Sequence, residues 1–150
     1  MKKFVFKLQT ALDLKLKAEE MKKEELVTAT DIYKESCRVL EYLKTRLAEI
    51  QNTVRGKQGE QFDVNEIRRC QDYIPVINEH ISQQALITEE HRAAMEEVRG
   101  ELVEIMKERK ILEKLRTRHY QEYMREFLRE EQKQIDEMAT TGFIHRDSAV

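Results

Sequence analysis

The sequence has few of the residues that interrupt helices or fill a large core. Its 150 residues include no Trp, one Pro, four Gly and two Cys. So few Gly and Pro leave little provision for turns, which argues against a chain of many short elements. The missing Trp and an aromatic content of 7% argue against a compact globular core. These shortages favour a small number of long helices.

The residue patterns that support catalysis or metal binding are also missing. Two cysteines make no disulfide framework, and Cys37 and Cys70 do not form a metal or redox spacing. There is no Gly-rich phosphate loop and no zinc-binding His-Glu-x-x-His pair. The four His residues show no ligand spacing; they are His80, His91, His119 and His145. We therefore predict that the chain is not an enzyme and has no metal site and no cofactor, and that its thiols are reduced.

Charged residues are abundant at 37%, beside 40% hydrophobic residues at regular spacing. This combination is typical of coiled coils. The net charge of −2 predicts no overall attraction to nucleic acid or anionic membrane. One segment differs, because Lys107–Arg118 carries six basic and two acidic residues. Such a patch can contact phosphate, dock an acidic protein or simply be solvated.

No apolar run approaches the length of a membrane span, which predicts no direct membrane insertion. The start "MKKFVFKLQTALDLK" is not a signal peptide, because Lys7, Asp13 and Lys15 interrupt its apolar residues.

Helix signals predict two long helices and a short connection. The first helix is expected from about residue 4 to 54, the loop over 55–62, and the second helix from about 64 to 139. Asp63 is the expected N-cap, with Glu66 in the capping box and Phe62 packing against Ile67.

The other boundaries come from Pro and Gly. Pro75 predicts a kink in the second helix, and Gly142 predicts its end. Residues 1–141 form one predicted domain, and 142–150 a disordered tail.

The spacing of core residues predicts an antiparallel pairing. Residues at alternating three- and four-residue steps form one stripe on each helix, and across the hairpin their numbers add up to 120 or 121. The first stripe is Leu26, Ala29, Tyr33, Ser36, Leu40, Leu43, Leu47, Ile50 and Val54. The second is Ile67, Cys70, Ile74, Ile77, Ile81, Gln84, Thr88, His91 and Met95. This register places Ser36 opposite Gln84, makes His91 a seam residue rather than a ligand, and excludes a Cys37–Cys70 bridge.

Near the N-terminus the stripe is displaced by one residue, and it includes Phe4, Ala11, Leu14, Ala18 and Met21. Either the helices repack at this skip, or this end contacts another molecule. The same register places residue 1 beside residue 119. Tyr120–Ala139 is therefore expected to overhang, with its apolar stripe uncovered.

Four motifs make the chain resemble the FliJ family of the flagellar type III export apparatus. They are "FVFKLQTALDLKLKAEE", "YIPVINEHI", "KERKILEKLRTR" and "QKQIDEMAT", in this order over residues 1 to about 141. Pro75 within the second motif departs from a smooth helix. The resemblance implies a two-helix antiparallel coiled coil, similar to the rotor stalk of F-type ATPases.

The resemblance also implies partners and a location. The family's role is to insert into the ring of the export ATPase, to promote ring assembly, and to engage the export-gate membrane protein and export chaperones. The implied location is cytoplasmic, at the inner face of the membrane at the flagellar base. We predict no nucleic acid partner.

Two docking surfaces are predicted from the uncovered apolar residues and the neighbouring Arg residues. The predicted ATPase-binding set is Phe4, Leu8, Leu12, Arg116, Arg118, Tyr123, Met124, Arg125, Phe127, Leu128 and Ile135. The predicted export-gate set is Tyr42, Tyr73 and Val76. Two alternatives remain: a structural coiled coil that buries its overhang by homodimerisation, and a stalk of a virulence-type secretion system.

Overall fold

The computed structural model describes residues 2–57 and 63–149. Within them the chain forms two α-helices and no strand: α1, Gln9–Lys57, and α2, Val64–Asp147. The helices pack against each other as an antiparallel hairpin: Ser36 contacts Gln84, whereas the earlier α1 residues Lys22 and Glu19 contact the later α2 residues Glu101 and Arg109. The predicted fold class is confirmed.

The first helix begins later than predicted, at Gln9 rather than near Phe4. Phe4 is half-buried, Val5 is 78% exposed and Phe6 is 5% exposed. This alternation has the period of two of an extended chain, so both rings can pack on one side. Burial of two aromatic rings therefore favours an extended segment here, residues 2–6, over another helical turn.

The start of α2 follows the predicted capping chemistry. The Asn65 backbone N–H donates to the Asp63 carboxylate at 3.0 Å, and the Ile67 N–H donates to the Asp63 carbonyl at 3.2 Å. Asp63 is therefore the N-cap. Arg55 is still helical, as are the residues up to Lys57. The rest of the predicted loop, including Phe62, lies outside the described residues.

Two predicted interruptions of α2 differ in outcome. The helix continues through Pro75; the kink stays a prediction. The predicted end at Gly142 is wrong, because the helix runs on to Asp147 and Gly142 has no positive φ. Residues 142–147 are therefore helical rather than disordered. Gly in a helix interior lowers helix stability by only about 1 kcal/mol relative to Ala. His145 and Arg146 lie in the last turn, where basic side chains stabilise a helix by interacting with the negative end of its dipole.

The chain forms two compact units. One, here called the end unit, holds the residues up to Glu19 and those from Glu104 onward; the other, the middle unit, is Glu20–Val103. The prediction of a single domain over 1–141 stays a prediction.

The middle unit contains the predicted seam. Every one of the predicted stripe positions from Leu26 to Val54 and from Ile67 to Met95 is buried or half-buried. The Gln84 side chain donates to the Ser36 carbonyl at 3.3 Å, which confirms the register. Cys37 and Cys70 are free thiols.

The predicted displacement of the stripe near the N-terminus is wrong. The seam keeps its frame along α1, but charged residues occupy it: Lys15 and Lys22 are half-buried and Glu19 is buried. Each finds an opposite charge on α2, because Lys15 pairs with Glu108, Glu19 with Arg109 and Lys22 with Glu101. Long aliphatic stems pack in the seam while the charged ends pair. Leu14 and Met21 of the predicted displaced stripe are exposed.

Candidate protein-docking site

The predicted ATPase-binding residues all fall in the end unit, where the extended N-terminal segment reaches α2. The Phe4 ring lies edge-on to Tyr120, with centroids 5.3 Å apart, and 5.6 Å from the Tyr123 ring. Tyr123 stacks on Phe127 at 6.3 Å. These four residues, Phe4, Tyr120, Tyr123 and Phe127, are here called the aromatic cluster. Aromatic pairs at such distances add about 0.5–1.5 kcal/mol beyond their buried area.

The beginning of the overhang is therefore partly covered by the N-terminal segment, contrary to the prediction. The prediction assumed that the N-terminal residues are helical, with a rise of about 1.5 Å per residue. An extended segment rises about 3.3 Å per residue and therefore reaches further along α2. Phe4 consequently reaches Tyr123, and the Phe6 ring packs against His119 at 5.8 Å. From Leu128 to residue 149 every described residue is exposed, whereas Tyr123, Met124 and Phe127 before it are half-buried.

The remaining predicted residues divide into buried, half-buried and exposed ones. Leu12 is only 2% exposed and packs within the end unit; its predicted contact with a partner stays a prediction. Met124 is half-buried and Leu8 is exposed. Leu128 and Ile135 are 57% and 59% exposed and remain available to a partner.

The three predicted Arg residues do not share one surface. Arg116 lines a shallow groove with Phe4, Thr117 and Tyr120, so it borders the aromatic cluster. Arg118 and Arg125 are exposed at heptad positions that point away from α1. Arg118 pairs with Glu122 at 3.5 Å.

The residues predicted to bind the export gate lie in the middle unit. Tyr42, Tyr73 and Val76 are all exposed. The register set by Ser36 and Gln84 places Tyr42 level with Asn78, within a turn of Val76 along the pair. These side chains therefore share one stretch of the hairpin, next to a well-packed seam that includes Ile77.

Sequence reasoning missed Phe6, His119 and Tyr120 as parts of the end-unit packing. The "FVF" run contained the pattern that could have found Phe6, because alternation of apolar residues indicates an extended segment. Tyr120 lies three residues before Tyr123, on the same face of α2.

Neither helix of the described residues is long and apolar enough to cross a membrane. Residues 2–57 and 63–149 also contain no group of His, Cys, Asp or Glu that could hold a metal ion.

Comparison with known proteins gives one family. A family model described as "Flagellar FliJ protein" matches residues 3–148, nearly the whole chain. No curated protein and no solved structure matches the chain. The chain therefore belongs to the FliJ family, a family of non-enzymatic components of flagellar export.

Proposed function

We propose that the protein is a stalk-like component of flagellar export that binds and stimulates the export ATPase ring. In the same proposal it links that ring to the export-gate membrane protein and to export chaperones, at the cytoplasmic face of the membrane. Membership of the FliJ family supports the export role. It also favours a flagellar system over the virulence-type alternative.

One observation carries the ATPase contact: the apolar stripe at the end of α2 has no cover within the described chain. Leu128, Ile135 and Met138 are between 57% and 72% exposed. They recur on one side of the helix, and they continue the surface that begins with the half-buried Met124 and Phe127. Contiguous exposed apolar surface marks interaction sites, and a few apolar anchors usually dominate an interface.

The proposed ATPase surface therefore has two parts. The first is the aromatic cluster with Leu8 and Arg116, which gives a firm base because its rings pack on one another. The second is the exposed stripe from Leu128 to Met138. Tyr42, Tyr73 and Val76 form the proposed gate contact, separate from both.

The test of the ATPase contact is ATP hydrolysis by the purified export ATPase with added protein. We expect the wild-type chain to stimulate hydrolysis and the variant Leu128→Ser/Ile135→Ser/Met138→Ser to lose most of that stimulation. The matched control, Val27→Ser/Val64→Ser/Leu86→Ser, removes three exposed apolar side chains from the middle unit and should stimulate normally.

Truncation provides a second arm. A chain ending at Phe127 keeps the aromatic cluster intact, whereas one ending at His119 removes the rings against which Phe4 packs. Circular dichroism run in parallel separates loss of contact from loss of folding. Full stimulation by the chain ending at Phe127 would show that the exposed stripe is not the ATPase-binding element.

The same stripe fits a second candidate, a structural coiled coil that covers its overhang with another copy of itself. Sedimentation of the isolated protein separates the two. A monomer at micromolar concentration contradicts the homodimer, while a dimer that the Leu128→Ser/Ile135→Ser/Met138→Ser variant dissociates would favour it.

The gate contact has its own test. We expect Tyr42→Ala/Tyr73→Ala/Val76→Ala to lose binding to the cytoplasmic part of the export-gate protein and to keep ATPase stimulation. Loss of both, or of neither, would contradict two separate surfaces.

A further inference from the structure

Between residues 107 and 128, the outward side of α2 carries basic residues and no acidic ones. In the seam, Ile105, Arg109 and Leu112 of α2 are half-buried and face α1. The heptad positions on the opposite side point away from the hairpin. From residue 107 to residue 128 these outward positions hold Lys107, Lys110, Ile111, Lys114, Thr117, Arg118, Gln121, Met124, Arg125 and Leu128.

This surface, here called the outer basic face, is long and accessible. It extends over roughly 32 Å at about 1.5 Å per residue. Its five basic side chains, on Lys107, Lys110, Lys114, Arg118 and Arg125, are all exposed. Glu104 and Glu122 lie at its border, 3.3 Å from Lys107 and 3.5 Å from Arg118. Among the described residues, Lys110, Lys114 and Arg125 form no ion pair.

Exposed aliphatic side chains lie among the basic ones. Ile111 is 65% exposed, between Lys110 and Lys114 in sequence, and Leu128 ends the face at 57%. The hairpin seam does not need them, because they point away from α1. Lys and Arg side chains are attracted to an anionic lipid surface, and apolar side chains that enter the headgroup region strengthen such binding.

We propose that the outer basic face binds the surface of an anionic phospholipid membrane. Basic side chains would contact the lipid phosphates, and Ile111 and Leu128 would enter the headgroup region. Adsorption of this kind needs no helix that crosses the membrane. It gives the chain a membrane contact of its own, which does not depend on the ATPase or the gate protein.

Two features favour lipid over other polyanions. Proteins that bind single-stranded nucleic acid usually stack bases on aromatic side chains beside the basic groups, whereas Tyr120 and Tyr123 here pack against Phe4. Protein interfaces are depleted in Lys, whereas three of the five basic residues are Lys. Lys and Arg near an anionic bilayer are attracted additively, within about a Debye length of the surface.

The experiment is co-sedimentation of the full-length protein with vesicles of phosphatidylcholine alone or mixed with phosphatidylglycerol. We expect binding to the mixed vesicles only, weakened by added salt. The variant Lys107→Gln/Lys110→Gln/Lys114→Gln should lower the partition coefficient by about tenfold or more. The control Lys17→Gln/Lys34→Gln/Lys44→Gln changes the net charge equally through exposed Lys residues elsewhere, and should bind as the wild type does.

Three results would overturn the proposal. The first is that the wild type binds neutral and mixed vesicles equally. The second is that the two triple variants lose binding to the same extent. The third is that the wild type binds double-stranded DNA or polyglutamate more tightly than vesicles at equal charge. Ile111→Ser/Leu128→Ser should weaken vesicle binding without changing its salt dependence. No ATPase is present in this assay, so its outcome is separate from that of the proposed stalk function.

Discussion

Gln84 of α2 donates a hydrogen bond from its side-chain Nε2 to the backbone carbonyl oxygen of Ser36 of α1, at 3.3 Å. The Thr88 hydroxyl donates to the same carbonyl, also at 3.3 Å. Two donors on successive turns of α2 therefore meet one acceptor on α1. A slip of either helix by one heptad would separate them, so this polar layer specifies the register.

Replacing the polar layer by Ser36→Leu/Gln84→Leu is expected to raise the free energy of unfolding by about 1 kcal/mol. Two seam positions gain apolar packing, and Thr88 still donates to the carbonyl of residue 36. Thermal melting followed by circular dichroism measures the effect. The control Ser82→Leu/Gln83→Leu adds the same side chains at exposed positions and should leave the melting temperature unchanged. A lower melting temperature in the seam variant would place these residues outside the core.

The ion pair between Glu19 and Arg109 predicts that a single substitution lowers the melting temperature and a double substitution restores it. Glu19 is 5% exposed, and Arg109 also donates to Glu113 at 2.8 Å. Glu19→Leu alone should lower the melting temperature, because Arg109 then stays in the seam without its main buried partner. Glu19→Leu/Arg109→Leu should recover it, since two paired charges give way to apolar packing. Glu20→Leu is the exposed control. A double variant as unstable as the single one would contradict the coupling.

Lys22 predicts a loss of stability in alkaline solution. Hydrogen bonds to Glu101 and then Glu25 raise the pKa of Lys22 to about 12, from an ordinary 10.5. The folded state holds this proton more tightly than the unfolded state does. The stabilisation of the folded state by protonated Lys22 is therefore complete below pH 10.5 and is lost as the pH rises towards 12. Melting temperatures across this window should fall less steeply for Lys22→Met than for the wild type. Lys17→Met, an exposed control, should follow the wild type; equal slopes for all three would exclude the linkage.

A substitution at Gly142 tests whether this residue lies inside α2 or at its end. A Cβ added there meets no atom within 4 Å, and the backbone is helical. Gly142→Ala should therefore stabilise the last turns by up to about 1 kcal/mol. Hydrogen exchange of the amides after residue 138 should slow as a result. Faster exchange would mean that the chain needs a left-handed residue here, as the sequence-based prediction of a helix end had it.

The sequence predicted the hairpin and its register because apolar side chains at seven-residue repeats have few other ways to be buried. It failed where the seam is charged. Lys15, Glu19 and Lys22 keep the frame of Leu26, but a pattern of apolar residues cannot reveal them, since their pairing depends on partners on α2. Phe4 was misplaced for another reason: its position depends on the extended backbone between Phe4 and Phe6, and helix periodicity says nothing about it. The docking residues, including the buried Leu12, stay predictions.

Along α1 the seam changes from ion pairs to aliphatic side chains. Dissolved salts are therefore expected to weaken one stretch of the seam and to strengthen the other. From Lys15 to Lys22 the helices are joined by ion pairs whose side chains are mostly part-exposed, and mobile ions screen such pairs. From Leu40 to Ile50 the seam is aliphatic, and strongly excluded salts such as sulfate strengthen apolar burial. Ionic strength and ion type are therefore independent controls over where along its length the hairpin is weakest.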